Sequence, residues 1–244
     1  MAEEQKTGLF GLKIRPVQTQ KELDALLNTK PKKERIIRRG KFNLDKVYGP
    51  GDYIKVGKNI EKDGLLRPTM AETSSLVHAV FFDKLDEKYS SKIKEMMKMR
   101  YLWTFTAILY VPNKGAYIQD APETLDNMLY MEESDLVKKL QRNDKSVRFV
   151  PFGYKVEYMT PKELGKNKFV IGLAGREGAE KLAEAAGKHK DNPYLWSFKS
   201  VNEHKTRVST VDSTWNLENG GLIVDGDDHS ERVGSAFGIQ KNTG

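Results

Sequence analysis

Cysteine is absent from the 244-residue sequence. This absence excludes disulfide bonds, thiol nucleophiles and thiolate metal ligands, and it favours folding in a reducing compartment. Only 4 histidines occur, and none lies in an HExxH or comparable metal-binding spacing. We expect His78 to lie in the core on an apolar helix and His189 to be solvated at a basic helix end. No cofactor, no histidine metal centre and no catalytic histidine is expected.

Long apolar runs are also absent. The longest candidate, YLWTFTAILYV at 101–111, is too short to cross a membrane as a helix and is interrupted by two threonines, so it predicts a buried strand. Residues 1–15 open with two acids after Met-Ala and hold no apolar stretch of signal-peptide length. The expectation is a soluble protein, made in the cytoplasm, with no signal peptide and no membrane span.

Charged residues make up 31% of the chain and hydrophobic residues 38%, which is enough for a packed core beneath a polar surface. The formal net charge is +7, and much of the excess lies in KPKKERIIRRGK at 30–41. This run fits a solvated basic arm, and it also fits an arm that docks onto an acidic assembly partner. Nucleic acid is the least favoured partner, because no aromatic residues are interleaved with the charges.

The first part of the chain predicts an extension followed by a helix-rich region. Residues 1–40 form a basic N-terminal extension with a short helix in QKELDALLNT, and a domain follows over 41–244. YIKV at 53–56, flanked by turn residues, predicts a short strand. The spacing of apolar residues over 70–100 predicts two helices, or one helix bent near Tyr89–Ser91. Thr69 or Thr73 is placed to cap the first of them, and Thr69 with Glu72 has the spacing of a capping box.

Later segments predict a mixture of helices and strands. TLDNMLYMEESDLVKKLQR at 124–142 and TPKEL at 160–164 predict helices, the latter with threonine as cap and proline in the first turn. KFVIGLAG at 168–175 predicts a buried strand, and REGAEKLAEAAGKHK at 176–190 a helix. Short strands follow to the end of the chain. This order predicts an α+β fold with a mixed or antiparallel sheet flanked by helices.

Two further segments have the composition of ligand sites without a matching motif. GLAGREGAEK at 172–181 is glycine-rich before a helix, as anion-binding turns are, but it lacks the P-loop and GxGxxG spacings, so a tight turn is the simpler interpretation. VDGDDHSE at 224–231 clusters carboxylates of the kind calcium prefers, but the EF-hand spacing is missing. A solvated acidic loop is the alternative there.

The C-terminal strands carry a family resemblance. LWSFKS at 195–200, RVSTV at 207–211, GGLIVDGD at 220–227 and SAFGI at 235–239 resemble the end of a C-type-lectin-fold domain of the formylglycine-generating-enzyme variant. Within that group the segment is most similar to archaeal variable proteins of diversity-generating retroelements. TPKELGKNKFVIGLAGREGAEKLAEAAGKHKDNPYLWSF, just upstream, is similar to the same archaeal proteins. The resemblance is strongest over about 150–240, vague over 41–149 and not useful over 1–40.

The resemblance implies a mechanism of variation in a C-terminal region of about 200–240. Adenines of a template RNA are miscopied, so asparagine codons become codons for many residues, but not for Lys, Glu, Gln, Met or Trp. Residues of those types would be framework: Lys205, Trp215, Glu218 and Glu231. Residues that this route can produce lie between the apolar runs, where side chains are expected to reach solvent. They are the predicted ligand-binding residues: His204, Ser213, Thr214, Asn216, Asp228, His229, Ser230, Arg232 and Val233.

The strands beneath these loops need apolar residues to hold them, and loops on such a scaffold can change at little cost to the core. The residues expected to hold the strands are Leu195, Trp196, Val208, Val211, Leu222, Ile223, Val224, Phe237 and Ile239.

By this resemblance the protein is expected to display a binding surface on a virion or a cell, for a protein or glycan ligand on a host or neighbouring cell. The alternative is a structural or assembly protein of a virion that uses the basic arm. No enzyme activity is expected, because the cysteines of the copper-dependent relatives are missing. The EPN and QPD motifs of calcium-dependent lectins are absent too, and TWNLEN resembles their WND motif only superficially.

Overall fold

The computed structural model describes residues 41–82, 84–213 and 220–241 of the chain. Within these ranges the chain forms eleven strands and six helices. The strands are β1 Phe42–Gly51, β2 Tyr101–Val111, β3 Gly115–Asp120, β4 Thr124–Leu125, β5 Met128–Leu129, β6 Val147–Pro151, β7 Glu157–Tyr158, β8 Tyr194–Trp196, β9 Lys205–Ser213, β10 Leu222–Asp228 and β11 Gly234–Ile239. The helices are α1 Tyr53–Lys62, α2 Met70–Phe81, α3 Glu87–Met99, α4 Glu133–Gln141, α5 Pro161–Leu164 and α6 Lys168–Ala186.

Nine of the strands form one mixed sheet, and β4 and β5 form a separate hairpin. The main order is β1-β11-β2-β9-β10-β8-β7, and β3 and β6 branch from β2. β2 pairs antiparallel with β9 on one side, and on the other with β11 in parallel and β3 antiparallel. The predicted central strand at 101–111 and the predicted C-terminal strands are thereby confirmed, as is the α+β class.

Each face of the sheet has its own apolar core. On one face, residues of α2, α3 and α6 pack against the sheet, and these include Leu76, Ile93 and Leu173. On the other face, α1 and α4 contribute Ile60 and Leu136, which pack with Trp103, Phe105 and Val208. The sheet is therefore a middle layer, and this explains why a strand as central as β2 is apolar on both faces.

Several helix predictions are confirmed. The two helices expected within 70–100 are α2 and α3, which are separate rather than bent at Tyr89–Ser91. Thr69 and Glu72 form the predicted capping box at the start of α2. Thr160 caps α5, where its side chain accepts a hydrogen bond from the Glu163 backbone N–H, and Pro161 opens the helix. No helix in the described ranges is both long and apolar enough to span a membrane.

Three local predictions are wrong for identifiable reasons. YIKV belongs to α1, because Asp52 caps this helix and its buried residues recur at helical spacing through Ile60. Residues 124–132 are not helical, since Asp126 and Asn127 both have positive φ and turn the β4–β5 hairpin. KFVIGLAG lies in α6, and its residues 169–174 are an unbroken apolar run, so the sequence shows no helical period there. The helix predicted in QKELDALLNT lies outside the described residues.

Helix α6 is broken at Gly175, which has φ +70° and ψ 169°. The break leaves carbonyl groups of the preceding turn without their helical partners. Arg148 of β6 satisfies two of them: its Nε donates to the Gly172 oxygen at 2.5 Å and its Nη2 to the Leu173 oxygen at 3.5 Å. Asp120 of β3 holds the same guanidinium through contacts of 2.6 and 2.8 Å. GLAGREGAEK is thus a helix break rather than a strand-to-helix turn.

Replacing Arg148 with methionine is expected to lower the free energy of unfolding by about 2–3 kcal/mol, because it removes charge-assisted hydrogen bonds and leaves Asp120 unpaired. Urea unfolding followed by circular dichroism measures this change. The matched control is Lys199→Met, which removes an exposed ion pair with Glu157 and should change stability little. Equal effects of the two substitutions would show that Arg148 does not support the break in α6.

Candidate functional site

The predicted binding residues occupy two separate places. His204 precedes β9, whose first residue pairs with Tyr110, and its Nε2 lies 3.2 Å from a Glu133 oxygen in α4. Ser213 ends the same strand and pairs with Leu222. The structure therefore places His204 at the opposite end of β9 from Ser213. Thr214 and Asn216, together with the framework residues Trp215 and Glu218, lie outside the described residues.

The other predicted residues lie in or next to the segment His229–Val233, which joins β10 to β11. We call it the crossover segment, because β9 and β2 lie between these two strands in the sheet and the chain must pass across them. It runs on the face of the second core, where the Tyr53 backbone N–H donates to the Ser230 oxygen at 2.9 Å. Its side chains at His229, Arg232 and Val233 are exposed, and Ser230 is half-buried.

Arg232 ties the crossover segment to the sheet below. Its Nη1 donates to the Tyr101 hydroxyl at 2.7 Å, and its Nε lies 3.1 Å from an oxygen of Asp228. The guanidinium also lies 5.7 Å from the centre of the Tyr101 ring. Because the arginine side chain remains 53% exposed, it can contact both the sheet and a ligand.

Two of the predicted residues do not reach solvent. Asp228 is 1% exposed and Ser213 is 6% exposed. The expectation that these two side chains are exposed is wrong, because both positions lie within strands, opposite Val208 and Leu222 respectively, rather than in a loop. Whether the exposed members bind a ligand stays a prediction. Among the strand-holding residues, Trp196 is also an exception, being 49% exposed.

A buried acidic cluster lies on the sheet face that the crossover segment traverses. It consists of Asp212, Asp225 and Asp228, which are 7%, 9% and 1% exposed. Thr210 pairs with Asp225 and lies two residues before Asp212, so these side chains share one face. The alternative of a solvated acidic loop at 224–231 is therefore wrong. Asp225 and Asp228 stand out in the acidic run at 224–231. Asp212 and Thr210 have a weaker signal, since they are polar residues that alternate with apolar ones within a strand.

Burial changes the protonation of this cluster. It raises the pKa of Asp212 to about 7, with a further increase from the nearby Asp228. It raises the pKa of Asp225 to about 8, although the Asp227 N–H bonded to this carboxyl acts in the opposite direction. One Asp228 oxygen and the Thr210 hydroxyl have no hydrogen-bond partner among the described residues. Across all the residues that the structure describes, no three His, Cys, Asp or Glu side chains are placed to hold a metal ion.

For the two remaining histidines, the prediction for His78 is confirmed and the prediction for His189 is wrong. His78 is 7% exposed within α2, as expected, and its Nε2 lies 2.6 Å from a Glu184 oxygen. His189 is not fully solvated: its Nδ1 lies 2.7 Å from the Gly220 oxygen and its ring packs on Phe81. Burial lowers the pKa of His189. Neither histidine lies in the crossover segment or the buried acidic cluster.

The protein has a C-type-lectin-like fold of the α+β class, built on the nine-stranded mixed sheet and its flanking helices. Its described structure is similar to a solved C-type lectin fold from Nanoarchaeota, which accommodates massive sequence variation, with a TM-score of 0.56. The alignment covers 84% of this chain and 100% of the other, at 16% sequence identity, and so shows the fold. No protein-family model matches the chain, and no curated protein matches it.

Replacing Asp212 with asparagine is expected to stabilise the protein at pH 8 and to change little at pH 4. The ordinary aspartate pKa is 3.8 and the folded value is about 7, so between them the unfolded chain is ionised while the folded chain keeps its proton. Stability therefore falls as pH rises through this window. Asparagine removes that penalty, which should raise stability at pH 8 by at least about 1 kcal/mol, or roughly 2–4 °C in Tm.

The measurement is thermal unfolding of both proteins across this pH range. Asp126→Asn in the exposed turn of the β4–β5 hairpin is the control, and it should follow the wild-type profile at every pH. A constant offset between Asp212→Asn and the wild type at all pH values would contradict the raised pKa of Asp212.

Proposed function

We propose that this protein is a ligand-binding protein whose binding surface is centred on the crossover segment and varies in sequence between copies of the gene. The variation would arise by adenine-directed copying, as in variable proteins of diversity-generating retroelements. The ligand would be a protein or a glycan on a host or neighbouring cell, and the surface would be displayed on a virion or a cell. The observation that carries this proposal is the exposure of His229, Arg232 and Val233 on a segment anchored to a buried sheet.

The anchoring supports variation without loss of the fold. The segment is held at the Ser230 backbone carbonyl and by the two strands it joins, and among its exposed side chains Arg232 adds contacts to Tyr101 and Asp228. Changes of exposed side chains usually alter stability by less than about 0.5 kcal/mol. A preorganised backbone also lowers the entropy lost when a ligand binds. Exposed side chains on such a frame can change from copy to copy while the sheet below stays the same.

The likeness to the nanoarchaeal structure supports the same proposal. That protein accommodates massive sequence variation on a C-type lectin fold, and the present chain shares the fold over most of its length. The predicted framework residues fit as well: Lys205 begins the paired strand β9, where a fixed residue is expected. Glu231 is exposed within the crossover segment, so it would be a constant residue between variable neighbours.

The decisive experiment is to sequence the locus of this gene from a population of its source. The proposal predicts a reverse-transcriptase gene and a near-copy of the coding region for about 200–240, differing from it at adenines. It further predicts differences between individuals at codons 229, 230, 232 and 233, with codon 231 unchanged. Constant codons throughout this region, with no near-copy in the locus, would reject the proposed variation.

A binding role is proposed in preference to catalysis, because the crossover segment presents exposed side chains on a fold that accommodates massive sequence variation in the nanoarchaeal structure. The assembly role of the basic run at 30–41 is the second proposal, but that run lies outside the described residues. It predicts that deletion of residues 1–40 abolishes assembly while changes in the crossover segment are silent.

Two adjacent residues test whether variation is confined as proposed. Val233→Ala should change the free energy of unfolding by less than about 0.5 kcal/mol, because Val233 is 56% exposed. Gly234→Ala should lower it by about 1–3 kcal/mol, since a Cβ at Gly234 would lie 2.7 Å from the Trp103 ring. Urea unfolding measures both. Equal effects would mean that the boundary between variable and fixed residues does not fall at Gly234.

A further inference from the structure

A cleft on the α6 side of the sheet has a charge pattern that the proposed binding surface does not use. It has a volume of about 510 Å³ and is formed by the loop after β6, by α5 and by the start of α6. Four lysines and one glutamate line it, so positive charge exceeds negative. We call it the lysine cleft after these residues: Lys155, Lys162, Lys166 and Lys168.

Buried contacts hold the walls of the lysine cleft in place. Asn167 is 7% exposed, and its amide nitrogen donates to the Lys155 backbone oxygen at 2.7 Å. The amide oxygen of the same residue accepts from the Phe169 N–H at 2.9 Å at the start of α6. One side chain therefore links the loop that carries Lys155 to the helix that begins with Lys168. The backbone of Lys155 is thereby fixed relative to Lys168, while Lys162 lies on α5 and Lys166 lies between α5 and α6.

The one acid in the cleft does not neutralise it. Glu163 accepts from Lys155 Nζ at 2.8 Å and from the Thr160 N–H at 2.7 Å, within the capping box of α5. Its charge is therefore offset by Lys155. Lys162 and Lys166 are exposed, and neither forms an ion pair among the described residues. The positive charge of these two ammonium groups is left for a ligand.

The lining indicates which anion the cleft would take. Tyr154 is its one aromatic residue, and this ring is stacked on Phe169 at 4.7 Å while its hydroxyl donates to the Phe198 oxygen at 3.0 Å. A single aromatic ring does not provide the successive stacking surfaces on which single-stranded nucleic acids are bound. The cations are all lysines, which attract anions as point charges, and no arginine fork is present for bidentate contacts to phosphate.

We propose that the lysine cleft binds an acidic polysaccharide through its sulfate groups. Successive anionic groups along the sugar chain would contact Lys162 and Lys166, with Lys155 and Lys168 at the margin. The cleft volume is within the range of known ligand sites. This site lies on the opposite face of the sheet from the crossover segment, so it is independent of the proposed function there.

The test uses the full chain and a labelled, size-defined heparin oligosaccharide as the sulfated probe, with affinity measured by fluorescence anisotropy over a range of salt concentrations. The double variant Lys162→Gln, Lys166→Gln is compared with Lys92→Gln, Lys98→Gln, which removes the same charge from exposed positions on α3. The cleft variant should bind at least about tenfold more weakly than the wild type. The control variant should change affinity by less than about twofold.

Three outcomes would overturn the proposal. Equal weakening by both double variants would mean that only net charge matters. Unchanged binding by the cleft variant would move the interaction to another basic surface, of which the run at 30–41 is the first to test. Tighter binding of an oligothymidylate of equal charge, lost through the same two substitutions, would make the ligand a nucleic acid. Thermal unfolding of each variant verifies that the fold is intact.

Discussion

The pairing of β2 on both of its edges is the constraint on which the rest of the molecule depends. β9 pairs along one edge, while β11 and β3 share the other, so the strand is enclosed by backbone hydrogen bonds. Its side chains alternate between the two cores, with Leu102 in one and Trp103 in the other. A shift of one residue would exchange the two faces and place every side chain in the wrong core. The substitutions that the fold tolerates are therefore those that leave this pairing untouched.

The crossover segment and the buried acidic cluster form one electrostatic unit. Asp228 lies beneath the segment and contacts Arg232, and its charge helps to keep Asp212 and Asp225 protonated. Both Asp228 and Arg232 are among the residues predicted to vary, yet one is buried and the other is exposed. A change at either alters the charge balance of the other, so effects at these two positions should not be additive. A substitution at Arg232 on the surface is thus coupled to protonation in the layer below.

Much of the fold could be predicted from local signals, and the failures share a physical cause. The run at 101–111, the capping box of α2 and the C-terminal strands were predicted because their patterns are complete within a few residues. KFVIGLAG predicts a strand because its residues 169–174 are all apolar, and an unbroken apolar run does not reveal a helical period. The acidic cluster was missed as a unit because Asp212 and Asp225 meet only through strand pairing, and no local pattern records that register.

The crossover segment also has a minimum length. Neighbouring strands lie roughly 4.8 Å apart, so joining β10 to β11 across β9 and β2 requires about 14 Å. Six Cα-to-Cα steps lead from Asp228 to Gly234, and a chain of this length reaches at most about 20–22 Å. The loss of two residues would leave a reach of at most about 14 Å. That reach would leave nothing to cover the stagger between the two strands. A copying process that exchanges one codon for another keeps this length, whereas one that deletes codons would break the sheet. The geometry of this loop therefore admits diversity in side chains and forbids a shorter chain.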